Sequence, residues 1–168
     1  MEIREGEVRY VSTRWLLEQN LKNMFSSDIL IRMNTIKCYF ENNNHGWELY
    51  NEMQNLRVSA IKTIPRHMLN YQNEFIKLIE SMKAIGYDPN YPIMVNQNMI
   101  TVDGAHRLAC AMYFGIEELP ITTNEKFYNL LPRPYDLEWF KNNNLNEHID
   151  IIQQLYNEMI QRTRGRKI

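Results

Sequence analysis

The sequence has few cysteines, and their spacing does not suit a metal. Two cysteines, Cys38 and Cys110, lie far apart in a chain of 168 residues. There is no Cys-x-x-Cys pair and no Cys/His cluster, so nothing in the sequence indicates a zinc site. Cys110 belongs to an apolar stretch with helical character, and we therefore expect its thiol to be buried.

Long apolar runs are also missing. The first ten residues, MEIREGEVRY, lack the apolar centre of a secretory signal. No run approaches the ~18 apolar residues that a membrane span needs. We therefore expect a cytoplasmic protein with reduced cysteines and no membrane contact.

Positive and negative residues are nearly equal in number. The 19 Lys and Arg residues against 20 Asp and Glu give a net charge of −1, so no global field favours nucleic acid or an anionic membrane. The C-terminal stretch RTRGRKI is the local exception. It is either a solvated tail or a phosphate-binding tail.

What is present is a chain of single-domain length with ordinary composition, 44% apolar and 23% charged residues. Hydrophobic spacing divides it into three regions. Residues 1–56 are predicted to be a helical N-terminal extension, with the apolar run at 29–31 compatible with helix or strand. Residues 57–123 are predicted to form the core. Residues 124–168 are predicted to be C-terminal helices that pack on that core.

The core region predicts an α+β fold with the order β-α-β-β-α-β. A strand is expected at 58–64, where VSAIKTI alternates. A helix is expected at 70–86, with Ile85 on its apolar face and Gly86 as its C-cap. Ser27 and Asp136 are candidate N-caps of helices in the two flanking regions. The remaining elements are two strands joined by a tight Gln97-Asn98 hairpin, a helix ending at Gly115, and a strand in LPITTN.

The stretch that carries chemistry is Asp103-Gly104-Ala105-His106-Arg107. A helix beginning near Ala105 or His106 exposes free backbone N–H groups at its positive end, which suits an anion. Gly104 lets the backbone approach a ligand closely. Arg107 offers a planar fork for phosphate oxygens. His106 can donate to a phosphate or transfer a proton.

Asp103 has three candidate roles in this turn. It could hold Mg²⁺ beside substrate phosphates, act as a base, or cap the helix. A structural alternative stands beside these functions. Asp-Gly is a common turn, Arg107 could pair with a nearby carboxylate, and His106 could be an ordinary surface residue. The spacing alone favours neither side.

The sequence around this turn resembles the core of the ParB/sulfiredoxin superfamily. The stretch YPIMVNQNMITVDGAHRLACAMYFGIEELPI has that family's Pro-Ile, hairpin, motif turn, small-residue helix and closing glycine. Leu119-Pro120 stands where Ile-Pro is expected. The Asp-Gly-x-His-Arg form is most similar to the free serine kinases and related ParB-like kinases. The resemblance covers roughly residues 57 to 123.

The resemblance implies that the turn holds nucleotide phosphates through Gly104, Ala105, His106 and Arg107. Asp103 would be the acidic residue of the motif. Sulfiredoxins have a cysteine where this chain has Ala105, which argues against sulfinic-acid reduction. The Gly-Glu-Arg-Arg form and the helix-turn-helix domain of the chromosome-partitioning members are not matched, which argues against DNA partitioning.

Two further site residues follow from the resemblance. Glu74 lies near the position of a catalytic glutamate, although outside the usual Pro-His-Glu setting, and a solvated helix face is its alternative. Lys62 resembles a basic position on the first strand that could reach a phosphate, although an exposed strand lysine is an equal alternative. Arg66 and His67 would lie near the same pocket.

The implied function is an ATP- or ADP-dependent kinase that uses Mg²⁺ to phosphorylate a hydroxyl of a small molecule. Its catalytic residues would be Asp103, His106 and Glu74, with Asp103 as the metal ligand. Its partners would be a nucleotide and a small hydroxylated acceptor, with no nucleic acid. One alternative is a non-catalytic nucleotide-binding regulatory module, suggested by the poor match around Glu74. Another is a ParB-like nuclease or DNA-binding protein, whose affinity would fall steeply with salt.

Overall fold

The structure is a computed structural model that describes residues 1–59 and 70–164. These residues form eight α-helices, a 3₁₀ turn and a four-stranded mixed sheet, so the predicted α+β class is confirmed. Within them, no helix has the length and apolar character to cross a membrane. The elements in chain order are β1 Arg9–Ser12, α1 Thr13–Asn20, the 3₁₀ turn Lys22–Met24, α2 Asp28–Phe40, α3 His45–Ser59, α4 Tyr71–Ile85, β2 Ile93–Val95, β3 Thr101–Asp103, α5 Ala105–Tyr113, β4 Glu118–Thr122, α6 Glu125–Tyr128, α7 Leu137–Asn142 and α8 Asn146–Arg164.

The strands lie in the order β1-β4-β2-β3. β2 and β3 form an antiparallel hairpin, β4 runs parallel to β2, and β1 pairs antiparallel with β4. β1 comes from the region that was predicted to be a helical extension. The N-terminal region therefore supplies an edge strand of the sheet as well as helices.

The strand predicted at 58–64 is wrong at its beginning, because α3 continues through Ser59. Tyr50, Gln54 and Val58 are all buried and stand four residues apart, so one face of a helix covers all three. This packing outweighs the β-branched character of the sequence. Residues 60–69 lie outside the described part of the chain, and with them the predicted phosphate ligand Lys62 and its neighbours Arg66 and His67.

The turn between β2 and β3 is longer than the two-residue hairpin that was predicted. The side-chain oxygen of Asn96 accepts hydrogen bonds from the backbone N–H groups of Asn98 and Ile100, at 2.9 and 3.0 Å. Such an asparagine turn satisfies the loop backbone locally. It carries Met99 at a φ of 61° and lets β3 begin at Thr101.

The predicted helix ends are partly confirmed. Gly86 ends α4 at a φ of 77°, and its N–H donates to Met82 O. Asp136 caps α7 by accepting from the N–H of Trp139 at 2.9 Å. Ser27 precedes α2 without capping it, because its hydroxyl donates to Met24 O instead. Ile85, expected on the buried face of α4, is exposed.

α5 lies at the centre of the packing. It contacts α1, α2, α4 and β2, while α2 also packs on α3 and α8. Its residues Leu108, Ala109, Cys110 and Ala111 are fully buried. Burial raises the pKa of the Cys110 thiol to about 12, so the predicted buried thiol is confirmed. This packing fixes the N-terminus of α5 beside the helices α2 and α3.

Candidate functional site

The motif turn connects β3 directly to α5. β3 ends at Asp103, α5 begins at Ala105, and Gly104 lies between them in the left-handed region at a φ of 102°. Gly104 is the N-cap residue, so the alternative in which Asp103 caps the helix is wrong. A Cβ at position 104 would lie 3.0 Å from Nη2 of Arg107 and 3.2 Å from Cγ1 of Ile93. The turn therefore needs glycine for its backbone and for the packing of Arg107.

Arg107 folds back over this turn. Its Nη1 donates to the carbonyl oxygens of Tyr91 and Pro92, and its Nη2 donates to Oδ2 of Asp103 at 3.2 Å. The guanidinium thus ties the entry of β2 to the end of β3. This arrangement agrees with the structural alternative, in which Arg107 pairs with a nearby carboxylate. Its fork is occupied by protein acceptors rather than directed at the N-terminus of α5.

His106 is held in a polar contact below the surface. Its Nε2 lies 2.7 Å from the hydroxyl of Tyr50, and its ring meets Phe75 edge to face at 4.6 Å between centroids. Burial, reinforced by the positive charges of nearby arginines, holds the pKa of His106 well below its usual value. The imidazole is therefore neutral.

Tyr50 and Gln54 complete the polar contact of His106. Burial raises the pKa of Tyr50 to about 12, so its hydroxyl keeps its proton. The side-chain amide of Gln54 donates to that hydroxyl oxygen at 3.5 Å. The hydroxyl donates to Nε2 of His106 or accepts from it, according to the tautomer of the ring.

The N-terminus of α5 faces a cavity of about 400 Å³ that also borders α2, α3 and the loop before α7. Gly104, Ala105 and His106 form one wall. We call it the arginine cavity, after the three arginines that line it: Arg32, Arg57 and Arg133.

The two inner arginines of this cavity share one carboxylate. Nη1 of Arg32 lies 2.5 Å from Oδ2 of Asp28, and Nη1 of Arg57 lies 3.7 Å from the same oxygen. Arg57 also donates to Gln54 at 2.8 Å and lies over the ring of Tyr135, 4.3 Å from its centroid. Arg32 is only 1% exposed, and burial lowers its pKa.

A second cavity, of about 340 Å³, lies on the other side of His106. We call it the aromatic cavity, because Tyr71 and Phe75 line it. Glu74, in the first turn of α4, lies in the same wall and forms an ion pair of 2.8 Å with Lys77. Asp103 and His106 line both cavities.

Asp103 is the residue of this site best placed for a cation. Its side chain is 65% exposed at the junction of the two cavities, with one oxygen paired to Arg107. In the described part of the chain, no three His, Cys, Asp or Glu side chains form a metal site of their own. Magnesium commonly uses one or two protein carboxylates together with substrate phosphates and water. The exposed carboxylate of Asp103 fits that mode of binding.

The residues that give the arginine cavity its charge were not predicted from the sequence: Asp28, Arg32, Arg57 and Arg133. One signal was available for the first two. Arg32 interrupts the apolar run Ile29–Ile31 and Met33, four residues after Asp28, where a helix would pair the two side chains. For Arg57 and Arg133, only the tertiary packing brings them to the site.

Comparisons of the chain with protein-family models, with curated proteins and with solved structures find no match. The resemblance to the ParB/sulfiredoxin superfamily therefore stays a prediction that rests on the motif and its hairpin–helix setting.

Proposed function

We propose that the protein is a nucleotide-dependent phosphotransferase with a ParB/sulfiredoxin-like core, which transfers a phosphoryl group from ATP or ADP to a hydroxyl of a small molecule. One observation carries this proposal. Asp103 and His106 lie between a cationic cavity and an aromatic cavity that contains a second acid, Glu74. A donor in the first cavity would meet an acceptor in the second at these two residues.

The donor side suits phosphates for a physical reason. The first turn of α5 has backbone N–H groups without intrahelical acceptors, and its dipole makes that end positive. The adjoining guanidiniums add positive charge in a partly buried setting, where charge-assisted hydrogen bonds are strong. His106 lines the same cavity and adds a polar ring to it.

The acceptor side supplies the groups that phosphoryl transfer requires. Such a reaction depends on positioning and on neutralising charge rather than on covalent chemistry of the protein. Asp103 would hold Mg²⁺, which neutralises phosphate charge when it is bound. Glu74 would orient the acceptor hydroxyl and accept its proton. Tyr71 and Phe75 would contact the apolar part of the acceptor.

A second candidate is a non-catalytic nucleotide-binding regulatory module. The observation that favours it is that both proposed acids already have cationic partners. Glu74 pairs with Lys77 at 2.8 Å and Asp103 with Arg107 at 3.2 Å. In such a module the nucleotide would bind and no phosphoryl group would move.

The test combines binding and turnover on the full chain. ADP and ATP binding with Mg²⁺ is measured by calorimetry, and transfer to a panel of hydroxylated small molecules is followed by ³¹P NMR. Asp103→Asn is expected to slow transfer by about 10²–10⁴-fold while the fold is kept. Asp150→Asn, an exposed acid on α8, is the matched control and should be unaffected.

The outcomes separate the candidates. Full transfer by Asp103→Asn would contradict the catalytic assignment. Nucleotide binding without transfer across the panel would favour the regulatory module. A wild-type protein that binds neither nucleotide would refute both candidates.

A further inference from the structure

We propose that Arg32, Arg57 and Thr101 form a built site for a phosphate dianion in the arginine cavity, which the N-terminus of α5 also lines. The inference rests on the proposed function, because it names the chemical group that this same site takes. It assigns ligand binding to helices α2 and α3 and to strand β3, outside the motif turn.

Unpaired polar atoms are concentrated on the residues that line this cavity. Among the described residues, seven buried side-chain nitrogen or oxygen atoms have no hydrogen-bond partner. Three of them, Nε of Arg32, Nε of Arg57 and Oγ1 of Thr101, belong to residues that line the arginine cavity. Buried polar atoms in proteins normally have partners, so this concentration indicates a group that the protein alone does not supply.

The unpaired atoms define the chemistry of that group. An arginine Nε only donates a hydrogen bond, and a threonine hydroxyl can donate as well. The missing partner must therefore accept from several directions at once. Arg32 is 1% exposed, so its unpaired donor belongs to the interior and not to a side chain that extends into solvent.

The balance of charge also favours an anion. The carboxylate of Asp28 is shared by the buried guanidinium of Arg32 and the partly buried guanidinium of Arg57. The other carboxylate that lines the cavity, that of Asp103, is paired with Arg107. Arg133 adds a further positive charge at the exposed rim. An unbalanced charge with little hydration is costly, and an anion in the cavity beside the two guanidiniums would reduce that cost.

Phosphate fits this surrounding better than carboxylate. The residues that carry donors come from four elements that line one cavity, namely α2, α3, β3 and the start of α5. A tetrahedral phosphate presents oxygens in several directions, whereas a carboxylate presents two oxygens in one plane. The volume of about 400 Å³ lies in the range of small-molecule sites, so the phosphate would belong to a larger ligand.

That phosphate could be part of the nucleotide or part of a phosphorylated small molecule. Calorimetry on the full chain with ADP, adenosine, glycerol phosphate, inorganic phosphate and succinate distinguishes the two sources. Arg57→Gln is expected to weaken phosphate-bearing probes by about ten- to hundredfold. Adenosine and the exposed control variant Arg4→Gln should show no change.

A loss of affinity in Arg57→Gln for ADP assigns the phosphate to the nucleotide. A loss for glycerol phosphate and inorganic phosphate, with ADP unchanged, assigns it to a phosphorylated small molecule. Both results support the phosphate site. Equal affinity of wild type and Arg57→Gln for every phosphate probe, or binding of succinate as tight as that of phosphate, would overturn it.

Because Arg57 also contacts Gln54 and Tyr135, circular dichroism checks the fold of its variant. If Arg57→Gln does not fold, Thr101→Val takes its place, because it removes the hydroxyl of the site. We expect it to weaken the phosphate-bearing probes roughly threefold to tenfold, and unchanged affinity would overturn the site. Failure of the kinase proposal is recognised separately. A wild-type protein that shows no transfer but binds phosphate in an Arg57-dependent way refutes only the kinase, whereas transfer that is unaltered in Arg57→Gln refutes only this site.

Discussion

Two aspartate–arginine pairs with the same four-residue spacing lie beside the arginine cavity, and they differ in burial. The Asp103–Arg107 pair spans 3.2 Å, and its carboxylate is largely exposed. The Asp28–Arg32 pair spans 2.5 Å, and both of its side chains are buried. Arg107 uses its fork on two backbone carbonyls and Asp103, while Arg32 keeps an unpaired Nε at the cavity.

Because both pairs have the same spacing in the sequence, the spacing alone does not determine whether an ion pair holds a turn or belongs to a ligand site. The exposed pair is screened by water and fastens a turn. The buried pair has lost its hydration, and its single carboxylate faces a second guanidinium, that of Arg57. Desolvation makes a buried pair weak evidence for stability. The buried pair is better evidence for a binding site at which a ligand supplies the missing negative charge.

The largest expected effect comes from removing the buried carboxylate. Asp28→Asn leaves the buried guanidinium of Arg32 and the partly buried one of Arg57 without an opposing charge, and we expect it to lower the free energy of unfolding by about 3–5 kcal/mol. Asp103→Asn, the matched change in the exposed pair, should lower it by no more than about 1 kcal/mol. Urea unfolding followed by circular dichroism measures both.

The double variant Asp28→Asn/Arg32→Met sharpens this result. It removes the unpaired charge together with the carboxylate, so it should regain part of the lost stability. If Asp28→Asn and Asp103→Asn destabilise the protein equally, burial does not separate the two pairs.

The next effect concerns the exposed pair and the glycine beneath it. Gly104→Ala must accommodate a φ of 102° and a Cβ only 3.0 Å from Nη2 of Arg107, so we expect a loss of about 2–3 kcal/mol in thermal or urea unfolding. Gly115→Ala, at the other end of α5, has a φ of 70° and no atom within 4 Å of its Cβ. Its free energy of unfolding should fall by only about 1–2 kcal/mol, the cost of placing an alanine in the left-handed region. Equal losses would mean that the packing of Arg107 on Gly104 contributes nothing.

The sequence predicted those parts of the fold that local chemistry determines. Gly86 ends α4 and Asp136 caps α7, because each residue acts on its own helix end. β1 was missed because it has four residues, of which only Val11 is buried, and its partner β4 lies about a hundred residues away. The strand expected at 58–64 was wrong at Val58 because a buried helical face, visible only in the packing of α3, outweighs β propensity.

The candidate site also has a part that local sequence predicted and a part that depends on tertiary packing. The start of α5 after Gly104 could be predicted, because a turn and a helix N-terminus are local features. The role of Arg107 in holding carbonyl groups could not be predicted, since it depends on where β2 enters the sheet. Arg32 and Arg57 reach the site through helix packing, and no spacing relates them to the motif.

A third prediction concerns the effect of pH on stability through the protonation of His106. Its pKa is depressed in the folded protein, whereas the unfolded chain takes up a proton below about pH 6.5. Stability is therefore fully present above pH 6.5 and is lost as the pH falls below it. Protonation of this histidine in the unfolded chain should lower the free energy of unfolding by up to about 1.4 kcal/mol between pH 7.5 and 5.5. His106→Gln should reduce that loss in urea unfolding at the two pH values; an unchanged loss would show that folding does not shift the pKa of His106.

The smallest expected effect has the opposite sign and concerns His45, at the start of α3. Hydrogen bonds that the ring of His45 donates to Glu48 and, across to α8, to Glu147 raise the pKa of His45. Its contribution is fully present below about pH 6.5 and is lost as the pH rises through the raised pKa. Because these side chains are exposed, His45→Gln should lower the free energy of unfolding by only a few tenths of a kcal/mol at pH 6, and by nothing at pH 9. Addition of 0.5 M salt should remove the difference at pH 6, since exposed charges are screened. A loss that is equal at both pH values would mean that the neutral ring, and not its charge, joins α3 to α8.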